Sequence, residues 1–165
     1  MVFGTDPKMA YHLVQAVRKS TALTLIVKLS PNVTDIALMA KSVEEGGADA
    51  VSLVNTFRAL AVNIHTKKPE LGSVIGGLSG PAIKPIALRM VWEVYQAVNV
   101  PIIGMGGIMN AEDAIEFILV GASAVQIGTA NLINPKTGIE VIHGIKKYLI
   151  QNRIDRIQKL IGTFG

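Results

Sequence analysis

The chain of 165 residues contains no cysteine. That rules out disulfides, thiolate metal ligands and a cysteine nucleophile within it. Its three histidines, His12, His65 and His143, have no partners at metal-ligand spacing, so no metal site is expected and they read as surface or capping groups. No apolar run approaches the ~20 residues of a membrane-spanning helix, so no membrane contact is expected. Met1 leads into Gly4-Thr5-Asp6-Pro7 rather than into a basic start and an apolar block. No secretory signal is therefore expected, and the cytoplasm is the expected location. Charged residues are scarce at 17% and sum to a net charge of +4. The mild basic gathering of Lys146, Lys147, Arg153, Arg156 and Lys159 does not interleave with aromatics, which argues for a solvated helix face and against nucleic acid. The same balance suits an anionic ligand.

Apolar residues are plentiful, at 50% of the chain, enough for one ordinary domain with its own core. They fall in an alternating pattern. Asp6-Pro7 starts a helix with a capping carboxylate and a proline, and Ala10, Leu13, Val14 and Val17 recur at helical spacing. Strand-like runs follow at residues 24–29, 50–54, 100–103 and 123–127. Between them lie helical segments: one capped by Thr34 or Asp35 with Ile36, Ala40 and Val43 inward, one opened by Pro81 with Ile83, Ala87, Met90, Val91 and Val94 on one side, and one capped by Asn110. Two further helices are expected near 138–150 and 155–161. This order predicts parallel strands with helices packed outside them. Residues 55–80 read as a long irregular stretch, suited to a lid, a binding loop or a partner-facing segment; its Arg58, His65, Lys67 and Lys68 suit an anion or a partner. Trp92 reads as packing, Met39, Met90, Met105 and Met109 as core or strand-end filler, and Glu44, Glu45 and Asp49 as a solvated helix end.

Two of the strands end in glycine-rich turns, Gly104-Met105-Gly106-Gly107-Ile108 and Gln126-Ile127-Gly128-Thr129. Backbone N–H groups at such turns can wrap an anion, and a following helix adds its positive dipole end. The plainer alternative is that the glycines only make tight strand-to-helix connections. Two turns in tandem favour a phosphate, as at the last two strands of a (β/α)₈ barrel. Such a barrel needs eight strands and about 250 residues, whereas four strands are legible here. An open doubly wound sheet is the rival. It calls for a glycine-rich turn after its first strand, but this chain has Lys28-Leu29-Ser30-Pro31 there.

Five motifs occur in order: Val27-Lys28-Leu29-Ser30-Pro31-Asn32, Val54-Asn55-Thr56, Gly76-Gly77-Leu78-Ser79-Gly80-Pro81, and the two glycine turns. Together they resemble the C-terminal half of class 1 dihydroorotate dehydrogenases. Thr56-Phe57-Arg58-Ala59 is most similar to the 1B type, and the likeness runs over essentially the whole chain from Phe3-Gly4-Thr5-Asp6-Pro7. The resemblance implies that residues 1–165 form one unit, about four βα units of an FMN-binding (β/α)₈ barrel. It implies oxidation of dihydroorotate to orotate in pyrimidine synthesis, and an electron-transfer subunit carrying FAD and a [2Fe–2S] cluster. It places the family's catalytic-cysteine loop before Phe3, so the chain is expected to be a fragment, or a gene product started internally at Met1, and inactive alone.

The resemblance also assigns roles. Lys28, at a strand end, faces the flavin and stabilises negative charge developing on it; the alternative is a lysine that simply reaches water. Asn55 and Thr56 bind the pyrimidine, offering amide and hydroxyl partners; the alternative is a turn-forming pair. Val54, Ser79 and Gly80 lie against FMN, where Gly80 allows close approach. Gly106, Gly107, Gly128 and Thr129 hold its phosphate. Two other classes remain open: an FMN- or phosphate-binding half barrel without catalysis, and a self-associating fold fragment. A sugar-phosphate barrel enzyme is a weaker choice. Open strand edges at 24–29 and 123–127 predict a homo-oligomer.

Overall fold

The computed structural model describes residues 3–165. Met1, on which the idea of an internal start rests, lies outside the described residues. After a short 3₁₀ turn, Phe3–Thr5, the elements run α1 (Pro7–Ser20), β1 (Ile26–Lys28), α2 (Ile36–Glu45), β2 (Ala50–Leu53), β3 (Phe57–Ala59), β4 (Val62–Asn63), β5 (Lys68–Pro69), β6 (Gly76–Leu78), α3 (Lys84–Tyr95), β7 (Ile102–Met105), α4 (Ala111–Leu119), β8 (Ala124–Gln126), α5 (Ala130–Ile133) and α6 (Thr137–Gln151). Further 3₁₀ turns cover Pro81–Ile83 and Ile157–Leu160; the latter stands where a last helix was expected.

The main sheet has the order β1-β2-β7-β8, parallel throughout. It is a run of four βα units, open at β1 and β8. Apart from Ser52, the two central strands are apolar; β2 is buried at every position and β7 at all but the half-buried Ile103. Edge strands β1 and β8 alternate between exposed and half-buried residues. This follows from cover: helices α2, α3 and α4 pack over the middle of the sheet, leaving the edges partly bare. Ile36, Met39, Ala40 and Val43 of α2 are buried there, as are Ala87, Met90, Val91 and Val94 of α3 and Phe117 of α4. Burying a side chain of this size is worth about 1.5–3 kcal/mol.

Local signals set the helix starts. The Asp6 carboxylate accepts the Met9 N–H at 2.8 Å, and Asp35, rather than Thr34, accepts that of Leu38 at 2.8 Å. Two inward readings need correction. On α1, Ala10 and Val14 are buried, but Leu13 and Val17 are exposed, because only one side of that helix meets α2. Trp92 of α3 is also exposed rather than packed, since it faces away from the sheet. Met39, Met90 and Met105 are buried and Met109 half-buried.

Residues 55–80 are irregular only in part. They carry two short antiparallel ribbons, β3 with β6 and β4 with β5, joined by turns and loops. Their strands have two or three residues each, too short for an alternation pattern to register in the sequence. Asn32 fastens this insertion to the β1–α2 loop. Its amide donates to the Thr56 carbonyl at 3.1 Å, and its Oδ1 accepts the Arg58 N–H at 3.0 Å. Glu44 and Asp49 likewise act as pins rather than as a merely solvated helix end. Glu44 accepts the N–H groups of Asn99 and Val100; Asp49 pairs with Arg18 at 2.7 Å and accepts the Leu25 N–H.

Candidate functional site

The C-terminal ends of all four parallel strands open onto one cleft, as they do in barrel enzymes. Lys28 ends β1, Val54 follows β2, Met105 ends β7 and Gln126 ends β8. The ten residues singled out in the sequence, Lys28, Val54, Asn55, Thr56, Ser79, Gly80, Gly106, Gly107, Gly128 and Thr129, all line it. The cavity holds about 140 Å³ and is completed by Ile83, Met105, Ile108, Met109, Gln126 and Ala130. None of these six was assigned to the site: Ile83 read as an inward helix residue and Met105 and Met109 as filler, while Met105, Ile108 and Gln126 lie within the glycine motifs themselves.

Three neighbouring segments set the backbone. The Leu53–Val54 peptide is cis. The Val54 N–H donates to the Met105 carbonyl at 2.9 Å, and the Asn55 N–H to the Leu29 carbonyl at 3.2 Å. Asn55 and Thr56 are thereby held at the mouth, both exposed. One lone pair of Asn55 Oδ1 accepts the Thr56 N–H at 2.8 Å, so the side-chain amide NH₂ is the group most free to meet a ligand.

Gly80, Gly106 and Gly107 have φ of 88°, 121° and 83°, values that side-chain-bearing residues rarely adopt. Gly107 is also crowded. A Cβ there would lie 2.8 Å from the Lys84 nitrogen and 2.9 Å from the Gly80 carbonyl oxygen. Gly128 differs: a Cβ there would meet nothing within 4 Å. The fold does not require glycine at 128, so its value lies in leaving the cleft open. No backbone hydrogen bond occupies the N–H groups of Gly107, Gly128 or Thr129 among the described residues. Thr129 Oγ1 donates to Ser79 Oγ at 2.8 Å, joining the second glycine turn to the loop before α3.

Helix dipoles do not add to the two turns in the way the sequence suggested. Asn110 and Asp113 form a capping box that closes the start of α4, and the helix after Thr129 has only four residues. The free N–H groups of the turns, not open helix ends, are what this cleft offers an anion.

Lys28 is exposed at the cleft and forms no ion pair among the described residues. One ion-paired cluster escaped the sequence reading. Lys84 Nζ lies 2.6 Å from Asp113 Oδ1 and 2.9 Å from Glu116 Oε2. Burial pushes the Asp113 carboxyl up, but hydrogen bonds from Lys84 and from the Met109 N–H outweigh it and hold the group below its ordinary value. The Lys84 ammonium is raised by its bonds to Asp113 and then Glu116. A second cavity adjoins the first, sharing Asn55 and Thr56 and bounded by Ser30, Asn32, Arg58 and Gly77. His12, His65 and His143 are exposed and belong to neither.

A profile of the dihydroorotate dehydrogenase family matches residues 1–151. The catalytic subunit of dihydroorotate dehydrogenase B (NAD(+)) from Desulforamulus reducens is 57% identical over 163 residues, which are 99% of this chain and 54% of that protein. The subunit of the same name from Caldicellulosiruptor saccharolyticus is 54% identical over 165 residues, 55% of its length. The chain thus spans about half the length of the curated relatives it matches. A crystal structure of DHODH from Eimeria tenella, in complex with ferulenol, superposes with a TM-score of 0.79 at 25% identity, covering 96% of this chain and 48% of that one.

Proposed function

The chain belongs to the dihydroorotate dehydrogenase family, and we propose that residues 1–165 are the C-terminal half of its barrel, the half that grips FMN and one edge of the pyrimidine. The whole enzyme would oxidise dihydroorotate to orotate in pyrimidine synthesis. The observation that carries this reading is that the ten residues assigned by the resemblance, drawn from five motifs spread over a hundred positions, line one cleft at the strand ends.

The cleft suits a flavin mononucleotide. Its two glycine turns have unspent N–H groups, Gly128 leaves space that a Cβ would fill, and an exposed ammonium stands on β1. When bound, FMN supplies the acceptor for the two electrons that dihydroorotate loses. Around it, Gly106, Gly107, Gly128 and Thr129 would hold the phosphate, Ser79, Gly80 and Val54 would border the ring system and its chain, and Lys28 would stabilise developing negative charge. Asn55 and Thr56 would orient the pyrimidine through the free amide and the hydroxyl. The relatives' names specify a catalytic subunit and NAD(+), which supports a separate electron-transfer subunit; by the family resemblance that subunit would carry FAD and a [2Fe–2S] cluster and the enzyme would work in the cytoplasm.

The sequence has no cysteine, which supports a second reading for the chain by itself: it binds FMN without turning over dihydroorotate. A positioned general base contributes ~10²–10⁴-fold in rate. Purified chain should carry or take up FMN, seen as flavin absorbance, and should reduce a dye with dihydroorotate far more slowly than a full-length relative. Absence of flavin binding would overturn the first reading; turnover equal to a full-length relative would overturn the second.

A further inference from the structure

Three segments meet beside the cleft, and one ion pair joins them. Asp113 Oδ2 accepts the N–H groups of Met109 at 2.8 Å and Asn110 at 3.2 Å, which fixes the end of the first glycine turn. Asp113 Oδ1 takes Lys84 Nζ at 2.6 Å. Lys84 is the first residue of α3, just past the 3₁₀ turn that starts after Gly80, and its own backbone nitrogen lies against Gly107. The loops 79–84 and 106–110, both of which border the cleft, therefore depend on the same pair. Neither Lys84 nor Asp113 lines the cleft itself.

We propose that Lys84 and Asp113 are positioning residues for the anion cradle: the pair clamps the Gly106–Asn110 turn to the start of α3, and Lys84 cancels the carboxylate charge that would otherwise sit behind a bound phosphate. This rests on the reading of the two glycine turns as the phosphate site.

The clamp has a reason in electrostatics. Asp113 is buried, with only 8% of its surface exposed. It serves the capping box of α4, yet it stands next to the turn that would hold a dianion. Like charges a few ångströms apart repel strongly where water is partly excluded. A carboxylate can serve both ends only when a cation is paired with it, and Lys84 is the one cation bonded to it among the described residues. Glu116, more exposed, shares Lys84 from the solvent side.

The test compares FMN with riboflavin, which lacks the phosphate, by fluorescence titration of the 165-residue chain. The parent should prefer FMN. Lys84→Gln keeps a donor for Asp113 but removes the charge; Lys84→Met removes both. Each should cut the FMN preference by about tenfold, equivalent to ~1.4 kcal/mol, while riboflavin affinity stays within about threefold. Lys84→Arg should retain the preference, and Lys84→Met with Asp113→Asn should regain most of it. If Lys84→Met does not fold, Lys84→Gln and Lys84→Arg decide. An unchanged preference in Lys84→Gln overturns the proposal, as does an equal loss of both flavins, which would mark a structural role only. A parent that does not distinguish FMN from riboflavin overturns the phosphate reading itself, and the proposal with it.

Discussion

Thr129 donates its hydroxyl to Ser79 at 2.8 Å, although the two residues stand fifty positions apart. One belongs to the turn after β8 and the other to the end of the ribbon insertion, so the bond ties the last strand of the sheet to the loop before α3. If Thr129 also holds a phosphate, its loss should separate stability from binding. Thr129→Val keeps the volume and removes the hydroxyl. A neutral hydrogen bond is worth about 1 kcal/mol and one to a charged group about 1.5–3 kcal/mol. We expect the melting temperature to fall by about 2–4 °C and FMN affinity to fall about tenfold or more. Ser79→Ala should lower the melt similarly but, because Ser79 borders the ring system and its chain, should weaken FMN and riboflavin alike, whereas Thr129→Val should weaken FMN more than riboflavin. Calorimetry and flavin titration read the two effects; equal losses of FMN and riboflavin affinity in Thr129→Val would remove Thr129 from the phosphate site.

Gly107 and Gly128 should respond in opposite ways to valine. At Gly107 the left-handed φ and the Lys84 and Gly80 backbone leave no room, so Gly107→Val should destabilise the fold by several kcal/mol, the order expected for overpacking combined with backbone strain. At Gly128 the space is open. Gly128→Val should melt within a few degrees of the parent yet bind FMN at least about tenfold more weakly, because the branched side chain would occupy the cleft. Of the two, Gly128→Val is the cleaner probe of the ligand. Unchanged FMN binding in that variant would place the phosphate elsewhere.

Lys28 offers a similar separation. Its backbone belongs to the sheet, but its side chain has no hydrogen bond or ion pair among the described residues, so Lys28→Met should leave stability within about 0.5 kcal/mol. If its ammonium stabilises reduced flavin, the variant should make bound FMN harder to reduce, lowering its midpoint potential. Spectroelectrochemical titration of the FMN-loaded chain checks this, and an unmoved potential would leave Lys28 as a strand-end lysine that merely reaches water.

Much of this site was legible because its parts are backbone features with residue signatures. Glycines at strand ends, an Asn-Thr pair and a strand-end lysine can be read one residue at a time, and parallel βα order brings strand ends to one side. What escaped depends on partners distant in sequence. Asp113 stands in the first turn of α4, where a carboxylate is favoured, but its bond to Lys84 spans 29 positions, and no local pattern announces such a pair. Asn32 clamping Thr56 and Arg58 is hidden for the same reason. The inward faces of α2 and α3 followed their periodicity because both lie over the sheet. Leu13, Val17 and Trp92 did not, since an apolar residue at helical spacing is buried only where a neighbouring element covers it.

The same ion pair predicts a pH dependence. The Asp113 carboxyl titrates below its unfolded value of 3.8, so its contribution to stability is full above that value and is lost as pH falls through the folded one. The Lys84 ammonium titrates above its unfolded value of 10.5, so its contribution is full below that value and fades as pH rises through the folded one. Both contribute fully between these limits. Asp113→Asn should therefore lower stability at neutral pH and flatten the acid limb of the stability curve below about pH 4. Urea melts from pH 2 to 7 measure it; parallel acid limbs in parent and variant would show that Asp113 carries none of the dependence.

The last prediction concerns assembly. Strands β1 and β8 each pair on one side only, so each offers a row of free backbone donors and acceptors to another strand. Exposed apolar side chains occur at both ends of the sheet in the chain: Leu23 before β1 and Ile26 within it, and Leu132, Ile133, Ile139 and Ile142 in the helices that follow β8. Exposed apolar groups gathered along an unpaired sheet edge are characteristic of a surface that another chain covers. Two copies can satisfy both edges at once if β8 of each meets β1 of the other, because the strands are parallel and a two-fold axis brings first to last twice. We therefore expect the purified 165-residue chain to be a dimer or larger at micromolar concentration. Ile142→Lys combined with Ile139→Lys should weaken the association without touching the cleft. Light scattering with dilution gives the mass. A stable monomer that unfolds cooperatively would show that the chain tolerates its open edges, and would remove the homo-oligomer from its description.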